Sequence, residues 1–184
     1  MKWSDIQSLI QTGYFGLVSD PHLDTVDGVA EDIIARGTPA GNFDCFYHVM
    51  LFYRDKDGNL RVSEMVRPQW RDVSFAERMA DIDGKLWIGK TPWVVSGQPQ
   101  KVLDFIENWR NHPEWHPYGD ESLLPTGISN DFGIPLDPFK MTPVCSLHVE
   151  RCVLEIEQGD IMHLWAPNHA AEFCDSVEPF ERGI

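Results

Sequence analysis

Two strand-like segments on either side of a turn constrain the fold of this chain more than any other feature. Residues 43–53 and 60–67 are rich in aromatic and β-branched side chains, and they flank residues 55–59, Asp-Lys-Asp-Gly-Asn. An Asp-Gly pair between two apolar runs is a strong short-range signal for a β-hairpin. An antiparallel pair of strands is therefore predicted in the first half of the chain.

The register of this hairpin decides whether two polar side chains meet. A three-residue loop with Gly58 in the left-handed conformation pairs Asp55 with Asn59, and His48 and Glu64 then become diagonal neighbours on one face. Their Cβ atoms would be roughly 7 Å apart, within reach of a long side chain. A carboxylate there can hold an imidazole in one tautomer and stabilise its protonated form. A two-residue turn would place the two on opposite faces and leave a core histidine.

Hydrophobic periodicity and capping signals predict the other elements. Helices are predicted after the capping box at Ser4 as far as Gly13, at 25–36, after a second capping box at 74–77, at 99–111, at 144–156, and from Asn168 to Phe173. Short strands are predicted at 14–19, 85–89, 93–96 and 161–165. Helices interleaved with antiparallel strands indicate an α+β fold, and the 184 residues fit a single domain over 1–184.

A proline-rich stretch interrupts this pattern at about 112–143. It contains six prolines: Pro113, Pro117, Pro125, Pro135, Pro138 and Pro143. Long irregular connections inside a domain are uncommon and often functional. Either a flap or substrate-binding wall, or a surface excursion with no role, fits this composition.

The four cysteines, Cys45, Cys145, Cys152 and Cys174, are expected to be reduced, because the chain shows no export signal. Cys145 stands two residues after Pro143, at the predicted start of a helix. There the helix dipole and unpaired N–H groups favour a thiolate, the form that attacks a carbonyl carbon. The alternative is a buried cysteine that acts as a small hydrophobe.

Short motifs in a particular order resemble the permuted branch of the NlpC-type papain-like superfamily, the YaeF/YiiX-like group. The matching stretches are Tyr47-His48-Val49-Met50-Leu51, Val62-Ser63-Glu64-Met65, Asn130-Asp131-Phe132-Gly133, Val144-Cys145-Ser146-Leu147 and Pro167-Asn168. The resemblance covers roughly 37–173, in patches. Met50 and Leu147 depart from the family, which usually has Gly and Glu there. Alternation predicts that Met50 shares the face of His48 and narrows the cleft.

The resemblance implies a papain-like α+β core in which the Cys-bearing helix packs on an antiparallel sheet that carries the histidine. It implies Cys145 as nucleophile, His48 as general base and Glu64 as the residue that orients the base. The expected activity is a cysteine peptidase or amidase acting on small or cell-wall peptides through an acyl-thioester. The alternatives are an acyltransferase or thioesterase on the same fold, a catalytically silent binding module, and a structural protein that docks a partner through its proline-rich stretch.

Charge and missing motifs argue against other functions. Fifteen basic and twenty-nine acidic residues give a net charge of −14, which disfavours binding to nucleic acid. Phosphate-loop and Rossmann patterns are absent, and no cofactor is expected. The Gly-x-Ser-x-Gly pattern is absent too, which disfavours a serine hydrolase. No segment approaches the roughly 20 apolar residues of a membrane span, and a cytoplasmic protein without stable membrane insertion is expected.

Two further histidine groups offer weaker hypotheses. His112 and His116 are four residues apart and would share a metal on a helix, but the flanking prolines disfavour a regular helix. His148 lies three residues after Cys145 and four before Cys152. It is either a second base near the thiolate, part of a metal cluster, or part of a packed face. No metal is expected.

Overall fold

A computed structural model describes residues 7–19, 46–82, 85–119, 121, 144–157 and 167–180. Several of the predictions lie outside the described residues: those at Ser4, at 25–36, at 130–133 and at 161–165, most of the proline-rich stretch, and Cys45.

A six-stranded sheet forms the centre of the described part of the chain. Its strands are β1 (Phe15–Ser19), β2 (Phe46–Arg54), β3 (Leu60–Val66), β4 (Gln69–Ser74), β5 (Lys85–Lys90) and β6 (Ser176–Phe180). The order across the sheet is β4-β3-β2-β1-β5-β6, and every neighbouring pair is antiparallel. The predicted α+β class is confirmed.

Helices cover both faces of this sheet. They are α1 (Phe75–Asp81), α2 (Pro92–Ser96), α3 (Pro99–Arg110), α4 (Cys145–Glu157) and α5 (Pro167–Phe173), with a 3-10 turn at Pro113–Trp115. Helix α4 packs on β2 and β3, α5 packs on β1 and β2, and α3 packs on α4. Helix α1 covers the opposite face, where Phe75 and Met79 join the core around Phe52 and Val62.

The predicted hairpin register is confirmed. Arg54 pairs with Leu60 in the β2–β3 ladder. The backbone N–H of Asp55 donates to the Asn59 carbonyl at 3.0 Å, and Gly58 has φ of 81°. The three-residue loop therefore places even-numbered residues opposite even-numbered residues. This is the register that puts His48 and Glu64 on the same face.

One predicted strand is wrong and two strands were not predicted. Residues 93–96 belong to helix α2, because Pro92 starts it and Gly97 closes it in the left-handed conformation. Strand β4 was not predicted, because the charged residues Arg71 and Asp72 give its sequence the composition of a polar loop. Both charges are paired in the fold, by contacts with residues of β3. Strand β6 also went unpredicted and forms the edge beside β5.

Candidate active site

His48 and Glu64 meet at the point where β2 and β3 stop pairing. The ladder between these strands runs from the loop only as far as Leu51 and Ser63, whereas His48 pairs with Val18 of β1. The Nε2 atom of His48 lies 2.7 Å from Oε2 of Glu64. The Glu64 side chain is fully buried, and that of His48 is 11% exposed. The predicted meeting of imidazole and carboxylate is thus present.

Cys145 is the first residue of α4 and also reaches His48. Interaction with this cysteine, by hydrogen bonding and by charge, raises the pKa of His48, so Cys145 lies beside the imidazole. Because Nε2 is occupied by Glu64, Nδ1 is the ring nitrogen left for the sulfur. The fold therefore brings Cys145, His48 and Glu64 together, although Cys145 and Glu64 are 81 positions apart in the chain.

Two arginines also contact the Glu64 carboxylate. Arg71 of β4 lies directly opposite Glu64 in the sheet, and its Nε donates to Oε1 at 2.7 Å. Arg78 of α1 places its Nε 2.7 Å from Oε1 and 2.9 Å from Oε2. A buried carboxylate requires such partners, because an unpaired buried charge is costly.

These contacts shift the pKa values of both His48 and Glu64. Burial by itself would lower the pKa of His48, but hydrogen bonds and charge interactions with Cys145 and Glu64 outweigh it and raise the pKa to about 9. Burial would raise the pKa of Glu64, but its contact with His48 and the charges of Arg78 and Arg71 lower it to about 2. The pair is therefore an imidazolium and a carboxylate at neutral pH.

His148 is not a second base beside the sulfur. Its imidazole is fully buried and its Nε2 lies 3.0 Å from Oγ of Ser63, which also accepts a hydrogen bond from Trp70 Nε1. Burial, followed by the charge of Arg151, lowers the pKa of His148 to about 3, so the ring is neutral at physiological pH. The packed-face interpretation is the one that this geometry matches, since His148 ties α4 to β3.

The other described cysteines differ from Cys145. Cys152 is fully buried in the core, and burial raises its pKa well above the ordinary value. The Cys174 sulfur donates to the Ala170 carbonyl at 3.2 Å, and burial raises its pKa to about 12. Neither residue contacts a base in the way Cys145 does.

His112 and His116 do not share a helix face. Pro113–Trp115 between them forms a 3-10 turn, His112 pairs with Glu114, and His116 Nε2 bonds to the Trp109 carbonyl. Among the described residues, no group of three or more potential ligands is placed to hold a metal ion.

Met50 does not narrow a cleft. It is fully buried and packs in the core beneath α1 with Phe52. A Cβ added at Gly16 of β1 would lie 2.6 Å from Met50 Cγ, so a glycine across the strand provides the space for this side chain. The larger side chain at position 50 fills the core instead of the site.

Sequence reasoning missed Arg71 and Arg78. Arg71 could be recognised only after β4 was placed beside β3. The available signal for Arg78 was the capping box: Ser74 accepts a hydrogen bond from the Glu77 N–H at 3.1 Å, which fixes the start of α1 and the face on which position 78 falls.

None of the helices in the described ranges is long and apolar enough to cross a membrane. A comparison of the sequence with models of known protein families finds no match, and no curated protein sequence matches it.

Proposed function

We propose that this protein is a thiol enzyme of the permuted NlpC-type papain-like kind, with Cys145 as nucleophile, His48 as general base and Glu64 as the residue that orients His48. The observation that carries the proposal is the 2.7 Å contact between His48 Nε2 and the buried Glu64 carboxylate, with Cys145 close enough to raise the pKa of the same imidazole. Each component has the chemical role that a nucleophile, a base and an orienting group require.

The charge state of the site supports this assignment. The pKa of His48, near 9, keeps the imidazole protonated at neutral pH. A cation bonded to sulfur favours the thiolate, which is the reactive form of cysteine. Glu64 stabilises the cation and holds the ring through Nε2, which leaves Nδ1 as the nitrogen for the sulfur.

The reaction follows from these groups. The Cys145 thiolate attacks a carbonyl carbon, and a carbon–sulfur bond forms. N–H groups in the first turn of α4, which lack intrahelical acceptors, lie where they can stabilise the developing oxyanion. His48 gives its proton to the leaving amine as the carbon–nitrogen bond breaks. Water then attacks the acyl-thioester and His48 takes one of its protons. The carbon–sulfur bond breaks, which releases the carboxylic acid and restores the Cys145 thiolate beside the His48 imidazolium.

The placement of α4 supports the family proposal. Cys145 begins a helix that packs on the antiparallel strands carrying His48 and Glu64, which is the arrangement the resemblance implies. On this basis we propose amide bonds of small or cell-wall peptides as substrates. Resolution of the same thioester by an acceptor other than water would make the protein an acyltransferase.

Selective alkylation tests the proposal. The full-length protein is treated with limiting iodoacetamide near pH 7, and modification of each cysteine is followed by peptide mass spectrometry. We expect Cys145 to react about tenfold or more faster than Cys45, Cys152 and Cys174. His48→Ala should remove this advantage, whereas His112→Ala, at an exposed histidine in a separate ion pair, should leave it unchanged.

Equal and slow labelling of all four cysteines would contradict the proposal and favour a binding module. If Cys145 is selectively labelled, an activated ester such as p-nitrophenyl acetate separates the two chemistries. Acetyl-enzyme at Cys145 should be detected by mass in either case. Its decay should be independent of added amine for a hydrolase, and should accelerate with a suitable amine acceptor for an acyltransferase.

A further inference from the structure

We infer that Arg78 is a positioning residue of this site, which acts on His48 through Glu64 by fixing the rotation of the carboxylate. The inference rests on the proposed function for its role in catalysis, but its structural content concerns only Arg78, Glu64 and His48. Arg78 does not contact the reacting sulfur or a substrate.

The contacts of Arg78 differ from those of Arg71 in one respect. Arg78 Nε donates to Oε2 of Glu64 at 2.9 Å and lies 2.7 Å from Oε1, whereas Arg71 Nε donates to Oε1. His48 bonds to Oε2. Arg78 is therefore the arginine that touches the oxygen facing the imidazole, and it restrains both ends of the carboxylate at once.

The two arginines also differ in how deeply their side chains are buried. The Arg78 side chain is 10% exposed, whereas that of Arg71 is 30% exposed and also reaches Asp81 at 3.5 Å. An exposed guanidinium is screened by solvent and can exchange its partners for water. A buried one has no such substitute, so Arg78 holds its geometry more tightly.

The fold fixes Arg78 from both sides. The N-cap at Ser74 sets the start of α1, and the Ile82 N–H donates to the Arg78 carbonyl at the other end. Phe75 and Met79 are buried in the core and set the rotation of the helix about its axis. Helix α1 therefore holds the Arg78 guanidinium in a fixed position against the Glu64 carboxylate of β3.

Charge alone does not account for Arg78. Among the residues that the structure describes, the charged and titratable groups next to this carboxylate or imidazole are Cys145 from α4, Glu64 from β3, Arg71 from β4 and Arg78 from α1. Two guanidinium groups exceed the single negative charge of Glu64 and oppose protonation of His48. A purely electrostatic role already predicts a larger effect from Arg78, whose charge interaction with Glu64 is the larger of the two. Only a positioning role predicts that Arg78→Lys, which keeps the charge but not the planar guanidinium, also loosens the carboxylate, and wild-type exchange of the His48 proton in Arg78→Lys would overturn the inference.

The test compares Arg78→Met with Arg71→Met, which removes the same charge from the same carboxylate. The readout is the downfield proton NMR signal of the His48 Nε2–H, assigned by its absence in His48→Gln. In Arg78→Met we expect this proton to exchange with water at least about tenfold faster than in the wild type, because the carboxylate that holds it can rotate. In Arg71→Met we expect less than about a threefold change.

Alkylation of Cys145 provides the second readout, with the rate measured from pH 5 to 10. We expect Arg78→Met to lower the plateau rate by about tenfold and Arg71→Met by less than about threefold. If Arg78→Met does not fold, Arg78→Lys keeps the buried charge but not the planar guanidinium. It should accelerate exchange of the His48 proton by about threefold or more.

Equal effects of the two Met variants, or a folded Arg78→Met with wild-type exchange and alkylation, would overturn the inference. The proposed function fails separately. If Cys145 of the wild type shows no excess reactivity, the His48 proton signal still reports whether Arg78 positions Glu64.

Discussion

The Ser63 hydroxyl lies 3.0 Å from His148 Nε2, and this hydrogen bond joins the sheet to the helix that carries Cys145. Ser63 precedes Glu64 on β3, and His148 lies one helical turn after Cys145. Trp70 donates to the same hydroxyl at 3.0 Å. A fully buried polar chain thus sets the position of the candidate nucleophile relative to the strand of the orienting carboxylate.

Replacing Ser63 should weaken both the fold and the site. Ser63→Ala leaves the Trp70 N–H and one His148 nitrogen buried without their partner, and we expect a loss of about 1–3 kcal/mol in the free energy of unfolding. Urea denaturation followed by tryptophan fluorescence measures it. Alkylation of Cys145 should also slow severalfold. Ser96→Ala, at an exposed helix end with a 3.3 Å bond, is the matched control and should cost less than about 0.5 kcal/mol.

His148 should make the fold sensitive to mild acid. Its pKa is about 3 in the folded protein and near 6.5 when unfolded, so below pH 6.5 the unfolded chain binds a proton that the folded chain does not. Stability then falls as pH falls, by about 2 kcal/mol between pH 6.5 and 4.5. Glu64 has a pKa lowered to about 2, so its protonation reduces the stability further only below about pH 4.5. The raised pKa of His48 gives stability that is fully present below about pH 6.5 and is lost progressively as the pH rises from there to about 9.

The measurement is urea denaturation at several pH values. His148→Gln should flatten the decline between pH 6.5 and 4.5, whereas His112→Gln, at an exposed site, should not. An unchanged decline in His148→Gln would show that another group causes the acid sensitivity.

The hairpin loop should depend on backbone conformation at Gly58. Gly58 has φ of 81°, and a Cβ added there would meet nothing within 4 Å. Any cost of Gly58→Ala therefore comes from the left-handed backbone, and we expect about 1 kcal/mol. Gly58→Asn should cost less, because Asn tolerates this conformation. Equal stability of Ala and Gly at this position, measured by thermal unfolding, would contradict the interpretation.

The space at Gly89 should be coupled to Cys174. A Cβ added at Gly89 would lie 2.5 Å from the Cys174 sulfur, so Gly89→Ala should cost about 1–3 kcal/mol through overpacking. Cys174→Ala removes the clashing atom, and the double variant should recover most of that loss. A double-mutant cycle on the free energy of unfolding measures the coupling. Strict additivity would show that the sulfur is not what excludes the extra methyl group.

Sequence reasoning reached the parts of this protein that depend on neighbouring residues. The Asp-Gly pair located the hairpin because turn chemistry acts over a few residues. Its three-residue register, preferred because it lets two polar side chains meet, is confirmed. Helix starts at Phe75, Pro99 and Cys145 agree with their capping and proline signals to within one residue. From the register followed the meeting of His48 and Glu64.

It failed where a residue's environment comes from distant parts of the chain. Val94 and its neighbours have strand-forming composition, yet they form a helix between Pro92 and Gly97. Strand β4 was not recognised because Arg71 and Asp72 are charged, and their partners lie on β3. Met50 was placed on the right face but not in its buried setting.

The sequence by itself determined the position of the hairpin, the α+β class and the start of the cysteine-bearing helix, because short-range sterics and hydrogen bonding decide these features. The structure decided between the two possible registers of the hairpin. Only the tertiary structure decided that the Cys145 thiol reaches His48, that two arginines share Glu64, and that His148 is neutral. Those properties depend on which side chains remote segments bring to a buried position, where each charge must find its partner among residues far away in the chain.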